Sequence, residues 1–99
     1  MKSLLFEKMA PHVKAIGADK KRQTGTPQEA MGAVLTELRV KRGWSQRKLA
    51  DLLGYDQTYV LQLERGMKSP TLRTLEVFAR AFAMEVSDLV GAAERRIKR

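Results

Sequence analysis

Between residues 29 and 91 apolar side chains return at helical spacing in segment after segment, and no run alternates apolar with polar as a half-buried strand would. Met31, Val34, Leu35 and Leu38 stand at i, i+3, i+4 and i+7, which lays an apolar stripe along a helix over 28–42. Gly43 ends it, glycine being the residue that reaches the left-handed conformation of a helix C-terminus without a Cβ penalty. Ser45 then offers a hydroxyl to an orphan amide, and Leu49, Ala50, Leu52 and Leu53 make about two turns of helix before Gly54. Asp56 repeats the cap signal, so a third helix with Tyr59, Val60 and Leu63 on its buried side starts almost where the second ends and runs to Gly66. Ser69, Pro70 and Thr71 open a fourth segment with Leu72, Leu75, Phe78, Ala79 and Phe82 inward, and Ser87 caps a short fifth carrying Leu89. The pattern predicts an all-α fold, a five-helix domain.

Upstream the signals weaken. Leu5, Met9, Val13 and Ile16 approach helical spacing, but Pro11 interrupts them, which leaves room for one or two short helices. From Gly17 through Pro27 the chain turns to Lys, Arg, Gln, Thr, Gly and Pro and reads as a linker. The expected organisation is an N-terminal basic arm over 1–28, a folded domain over 29–91 and a basic C-terminal tail over 92–99.

Charge follows the same division. The 99 residues include 19 Lys and Arg against 11 Asp and Glu, a net +8, an imbalance that suits a polyanionic partner. It is unevenly spread, with +4 over 1–28, +1 over 29–91 and +3 over 92–99. The excess therefore argues for affinity toward nucleic acid from the arms rather than for sequence discrimination. With no cysteine and one histidine, His12, disulfides, thiolate metal sites, cysteine nucleophiles and histidine clusters are excluded. His12 has no nucleophile or carboxylate cluster beside it and reads as a solvated side chain, so the expectation is a non-enzyme without metal or cofactor. The apolar run Leu4-Leu5-Phe6 is too short for a signal-peptide core or a membrane span, and a cytoplasmic location is expected. The scattered methionines read as core filler.

Two short helices joined by a tight glycine turn in a small basic all-α domain are the physical description of a helix-turn-helix. In the unit from Gln46 to Arg65, Leu49 and Ala50 face inward, Gly54 makes the turn, and Val60 and Leu63 lock the third helix. At about 100° per residue, Val60, Leu63 and Glu64 cluster on one side of that helix. Thr58, Leu61, Gln62 and Arg65 project from the other, and Gln57 lies at its open N-terminal end. Glutamine pairs bidentately with adenine N6 and N7, and threonine bonds a base edge or meets a thymine methyl. Gln57, Thr58 and Gln62 are thus the candidate base-reading residues, with Leu61 as an apolar contact to thymine. Arg47, Arg65, Lys68 and Thr71 are candidates for phosphate contact. Tyr59 is divided between packing and a hydroxyl contact to phosphate, while Trp44 and Tyr55, beside helix boundaries, read as core rather than as stacking platforms.

The stretch from Trp44-Ser45-Gln46 to Leu63-Glu64-Arg65-Gly66, followed by Ser69-Pro70, resembles the Cro and phage-repressor helix-turn-helix family, the XRE-like group, over about residues 29–91. The resemblance implies a lambda-repressor-like domain and a DNA-binding transcriptional regulator of bacterial or phage type. The function expected with it is that of a repressor binding an inverted repeat in double-stranded DNA as a homodimer. The resemblance also implies that Gln46, opening the second helix, bonds a backbone phosphate and braces the third. It further implies that Arg39 pairs with Glu64, a carboxylate costly to bury alone. Tyr55 and Leu61 depart from the family pattern, which usually has a smaller aliphatic and a polar residue there. Val86 and Val90 of the fifth helix, or the arm, are the candidate dimer surfaces. Small proteins of this family also serve as antitoxins or restriction-modification controllers, in which residues 1–28 would hold a partner protein. Non-specific nucleic-acid binding is the further alternative, and Lys20-Lys21-Arg22 is then either a solvated run or a minor-groove arm.

Overall fold

Residues 25–97 are described in the computed structural model, and five helices account for most of them: α1 (Pro27–Lys41), α2 (Gln46–Leu53), α3 (Gln57–Glu64), α4 (Leu72–Ala81) and α5 (Val86–Arg96). The Leu5-to-Ile16 stripe, His12, the Lys20-Lys21-Arg22 run, Lys98 and Arg99 lie outside the described residues. The helix starts follow local chemistry. Thr26 Oγ1 accepts the Glu29 amide at 3.1 Å ahead of α1, with Pro27 in the first turn, where its missing N–H is not needed. Ser45 Oγ accepts the Lys48 amide at 2.9 Å ahead of α2. Asp56 holds the N-cap position of α3 without a side-chain cap hydrogen bond, and its carboxylate acts there through the positive end of the helix.

The ends of α1 to α4 share one device. After α1, Gly43 N–H bonds Val40 O and Trp44 N–H bonds Arg39 O; after α3, Gly66 N–H bonds Leu63 O and Met67 N–H bonds Gln62 O. Both glycines are left-handed, at φ 72°, so the paired bonds close the last turn and satisfy carbonyls that would otherwise be orphaned. Helix α4 ends in the same way with Ala83 at φ 56° in place of a glycine.

Every helix contributes to the core. Leu35 of α1, Leu49 of α2, Val60 and Leu63 of α3, Phe78 of α4 with Phe82 at its end, and Leu89 of α5 are all buried. Trp44 stacks on Phe82 at 6.1 Å between ring centroids, and Tyr55 stacks on Phe78 at 6.3 Å. Both aromatics that interrupt the loops are thus spent on packing. Arg42 ties the ends of α1 and α4 together: its Nη2 donates to Phe82 O at 2.6 Å while the guanidinium lies 5.0 Å from the Phe82 ring centroid.

Four expectations change. Leu72, placed inward by its spacing, is 73% exposed; as the first residue of α4 its side chain leans toward the helix N-terminus, past the packed turn. The start of α5 is capped by Glu85 rather than Ser87, the Glu85 amide donating to the Asp88 carboxylate at 3.0 Å. Helix α5 is not short: it continues past residue 91 to Arg96, buries Ala93 and pairs Arg96 with Glu37 of α1, so most of the stretch over 92–99 is folded structure rather than a tail. At the other edge, α1 starts at Pro27, one residue ahead of the expected 28, and Gln28, counted with the arm, donates from Nε2 to Gly66 O at 2.8 Å. Basic composition hid both edges, because an arginine or glutamine can cover apolar neighbours with its stem while its polar head finds a partner.

Helices α1 and α3 meet backbone to backbone at Gly32, where a Cβ would stand 2.5 Å from Glu64 O and 2.6 Å from Leu63 O. Alanine is the better helix former by about 1 kcal/mol, yet the atoms it would strike are main chain and overpacking costs about 1–3 kcal/mol. Gly32→Ala is accordingly expected to lower the midpoint of urea unfolding despite its gain in helix propensity. An unchanged or raised midpoint would show that α3 can move aside freely.

Candidate nucleic-acid interface

Three residues, Gly54, Tyr55 and Asp56, separate α2 from α3. A turn this short needs the left-handed conformation of Gly54, at φ 75°, and Tyr55 N–H returns to Ala50 O at 3.0 Å. Behind the turn, Tyr55 meets Tyr59 edge-on at 5.1 Å and Phe78 face-on, so the junction is seated on aromatic packing.

The inner side of α3 is fastened by charge. Glu64, with its side chain only 3% exposed, accepts Arg39 Nε at 2.6 Å on Oε2 and Arg39 Nη2 at 3.1 Å on Oε1. Arg39 Nη1 donates in addition to Trp44 O at 2.8 Å, and Gln46 Nε2 donates to Glu64 Oε1 at 2.9 Å. A carboxylate only accepts, so the Gln46 amide must turn a nitrogen toward it. One N–H and the Oε1 of Gln46 then remain for another partner. The ion pair is bidentate, and the buried charge is met by three N–H groups from α1 and α2.

On the other side of α3, Gln57 and Thr58 are exposed at its N-terminal end. Gln62 and Leu61 are half-buried, which corrects the expectation of an open leucine: the projecting side of the helix is partly covered at its second turn. Arg47, Arg65, Lys68 and Thr71 are all exposed around it. Thr71 caps α4, its Oγ1 accepting the Thr74 amide at 3.1 Å. Tyr59 is half-buried, and its hydroxyl stands 3.3 Å from Thr74 Oγ1.

Gly32, Gln28, Arg42 and Thr74 support this unit without having been singled out by pattern. A glycine inside an otherwise helical stretch was a signal for Gly32, since that placement costs helix stability unless packing requires it. Gln28, Arg42 and Thr74 carried no local signal. Among the described residues no group of three or more His, Cys, Asp or Glu is arranged to hold a metal ion, and no helix is long and apolar enough to cross a membrane.

A helix-turn-helix family model matches residues 35–89. The cryptic phage CTXphi transcriptional repressor RstR of Vibrio cholerae is 32% identical over 63 residues, 64% of this chain and 57% of that protein. The HTH-type transcriptional regulator AnsR of Bacillus subtilis is 36% identical over 62 residues, 63% of this chain and 53% of that protein. The matched part thus spans little more than half the length of these relatives. Among solved structures, the clp gene regulator ClgR of Corynebacterium glutamicum superposes with a TM-score of 0.70 at 28% identity, over 76% of this chain and 97% of that one. The restriction-modification controller protein C.AhdI of Aeromonas hydrophila gives 0.58 at 38% identity, over 61% and 91%.

Removing one partner from the Arg39–Glu64 pair leaves the other charge buried. Arg39→Met is therefore expected to destabilise the domain by about 3–5 kcal/mol. Arg39→Met combined with Glu64→Leu should cost less than the two single losses added together. Additive losses in a denaturation cycle would mean that the two charges are independently solvated.

Proposed function

The chain belongs to the helix-turn-helix family of the Cro and phage-repressor (XRE) type, and from that premise we propose that it is a transcriptional regulator that binds specific sequences in double-stranded DNA. The observation that carries this reading is the two-sidedness of α3. Its inner side is fixed by Glu64, Arg39 and Gln46, while Gln57 and Thr58 stand exposed at the N-terminal end, the part of a recognition helix that meets base edges. Gln57, Thr58 and Gln62 read bases in the major groove, with Leu61 against a thymine methyl. Arg47, Arg65, Lys68, Thr71, Tyr59 and the remaining N–H of Gln46 face the phosphates and set the register. No catalytic step is part of this reading.

One module reads only a few base pairs, so the regulator acts as a homodimer on an inverted repeat, with its two α3 helices about 34–36 Å apart. Val90 of α5, 41% exposed, is the apolar side chain we assign to the dimer seam. Its likeness to C.AhdI supports a restriction-modification controller as the second reading, one that uses the same α3 surface. An antitoxin role would rest on residues 1–28, nearly all of which lie outside the described residues. Selection of bound duplexes from random DNA tests the reading directly: a palindromic consensus is expected, and enrichment without any consensus would overturn it.

Two substitutions separate reading from anchoring. Gln57→Ala is expected to relax base preference at one operator position at a cost of about 1–3 kcal/mol, and an equal loss on random duplex would remove Gln57 from the base-reading set. Lys68→Ala should weaken binding to all sequences and reduce the slope of log affinity against log salt by about one. An unchanged slope would mean that Lys68 meets no phosphate.

A further inference from the structure

The chain enters the folded domain beside the loop that follows α3. Gln28 Nε2 donates to Gly66 O at 2.8 Å, and a Cβ on Gly66 would stand 2.9 Å from Glu29 Cα, so the first turn of α1 is seated directly on Gly66. Gly66 follows Arg65 and stands two residues before Lys68, both exposed and both assigned above to phosphates. Gly25 and Thr26, where the described chain begins, are exposed as well, and a Cβ on Gly25 would meet nothing within 4 Å. The backbone upstream of α1 therefore leaves into open space at the corner that carries Arg65 and Lys68.

Lys20, Lys21 and Arg22 lie outside the described residues, but covalent geometry bounds where their charge can stand. Lys20 is five residues ahead of Gly25 and Arg22 three, which keeps their Cα atoms within about 18 Å and about 11 Å of it. Glu29, exposed at the same corner, offsets part of the charge of Arg65 and Lys68, so the run of three is the larger source of positive charge there. The other basic flank leaves elsewhere. Helix α5 ends with Arg96 paired to Glu37, nine residues beyond Gln28 on α1. At about 100° and 1.5 Å per residue, that is half a turn round the helix and about 13 Å along it, away from the side on which Gly32 touches α3.

We propose that Lys20, Lys21 and Arg22 are a second DNA-contacting element, which the seating of α1 on Gly66 brings to duplex phosphates next to those that Arg65 and Lys68 meet. This rests on the DNA-binding reading above and divides the flanking charge within it: the arm adds affinity, whereas Arg95, Lys98 and Arg99 stand on the far side of α1 and add little. The contact is with the phosphate backbone, so it strengthens binding to every sequence and leaves base preference to α3.

Two charge-matched variants of the full chain test the placement. One carries Lys20→Gln, Lys21→Gln and Arg22→Gln; the other carries Arg95→Gln, Lys98→Gln and Arg99→Gln and keeps Arg96, which Glu37 needs. Affinity is measured across a salt series for a duplex recovered by the selection and for a random duplex, at a temperature where circular dichroism shows both variants folded. The arm variant should lower the slope of log affinity against log salt by about two to three per bound protomer, on both duplexes alike. Its hydroxyl-radical footprint should lack backbone positions that the wild type protects. The second variant should change the slope by less than about one. A wild-type slope and footprint in the arm variant would overturn the proposal, leaving the run to solvent or to a protein partner. Equal losses in the two variants would overturn it too, since net charge rather than position would then set the affinity. A wild type that binds no duplex would remove the DNA-binding reading itself, an outcome distinct from an unchanged slope in a protein that binds.

Discussion

A carboxylate buried on the inner side of α3 has to be surrounded by donors, and much of the domain is arranged to provide them. Glu64 receives two N–H groups from Arg39 and one from Gln46, and Arg39 spends a further donor on the carbonyl of Trp44. These partners come from α1, from the loop after it and from the first residue of α2, so one ionised group joins the three elements that set the pose of α3. Charge pairing of this kind contributes little net stability, because desolvation offsets most of the attraction. Its value lies in direction: a bidentate guanidinium fork accepts one orientation of the carboxylate, and a helix held by such a fork cannot roll about its own axis without leaving the charge unpaired.

Backbone contact sets the distance that the charge pair orients. Gly32 brings α1 against the carbonyls of Leu63 and Glu64, at the same end of α3 where the carboxylate is bound. The aromatic packing of Tyr55 against Tyr59 and Phe78 supports the start of that helix. With both ends seated, Gln57 and Thr58 are free of structural duties and stand exposed, which is the condition a base-reading surface requires: rigid backbone, unspent side chains.

The charge distribution divides the work in a matching way. The region over 29–91 is nearly neutral, and its buried carboxylate is compensated internally, whereas the excess sits on the flanks. Part of that flanking charge is structural, since Arg96 closes α5 onto Glu37 of α1. Net charge therefore overstates what is available to a polyanion, and under the proposed DNA-binding reading the exposed Arg47, Arg65 and Lys68 carry that contact.

Local chemistry in the sequence determined where helices begin and end at Ser45, Gly43, Gly54 and Gly66, because caps and left-handed glycines act within one turn of chain. It also determined which apolar stripes would form the core, since helical periodicity reports the buried side directly. Its errors fall where neighbours distant in sequence decide. Leu72 obeyed the periodicity and is exposed although Thr74 in the same turn is buried, and Leu61 lies on the open side of α3 yet is half-buried. Arg96 looked like tail charge until a partner on α1 gave it a place. The tight approach at Gly32 and the contact of Thr74 with the Tyr59 hydroxyl depend on atoms that other helices supply. Periodicity measures which way a side chain faces from its own helix, whereas only the packed tertiary structure supplies what it faces.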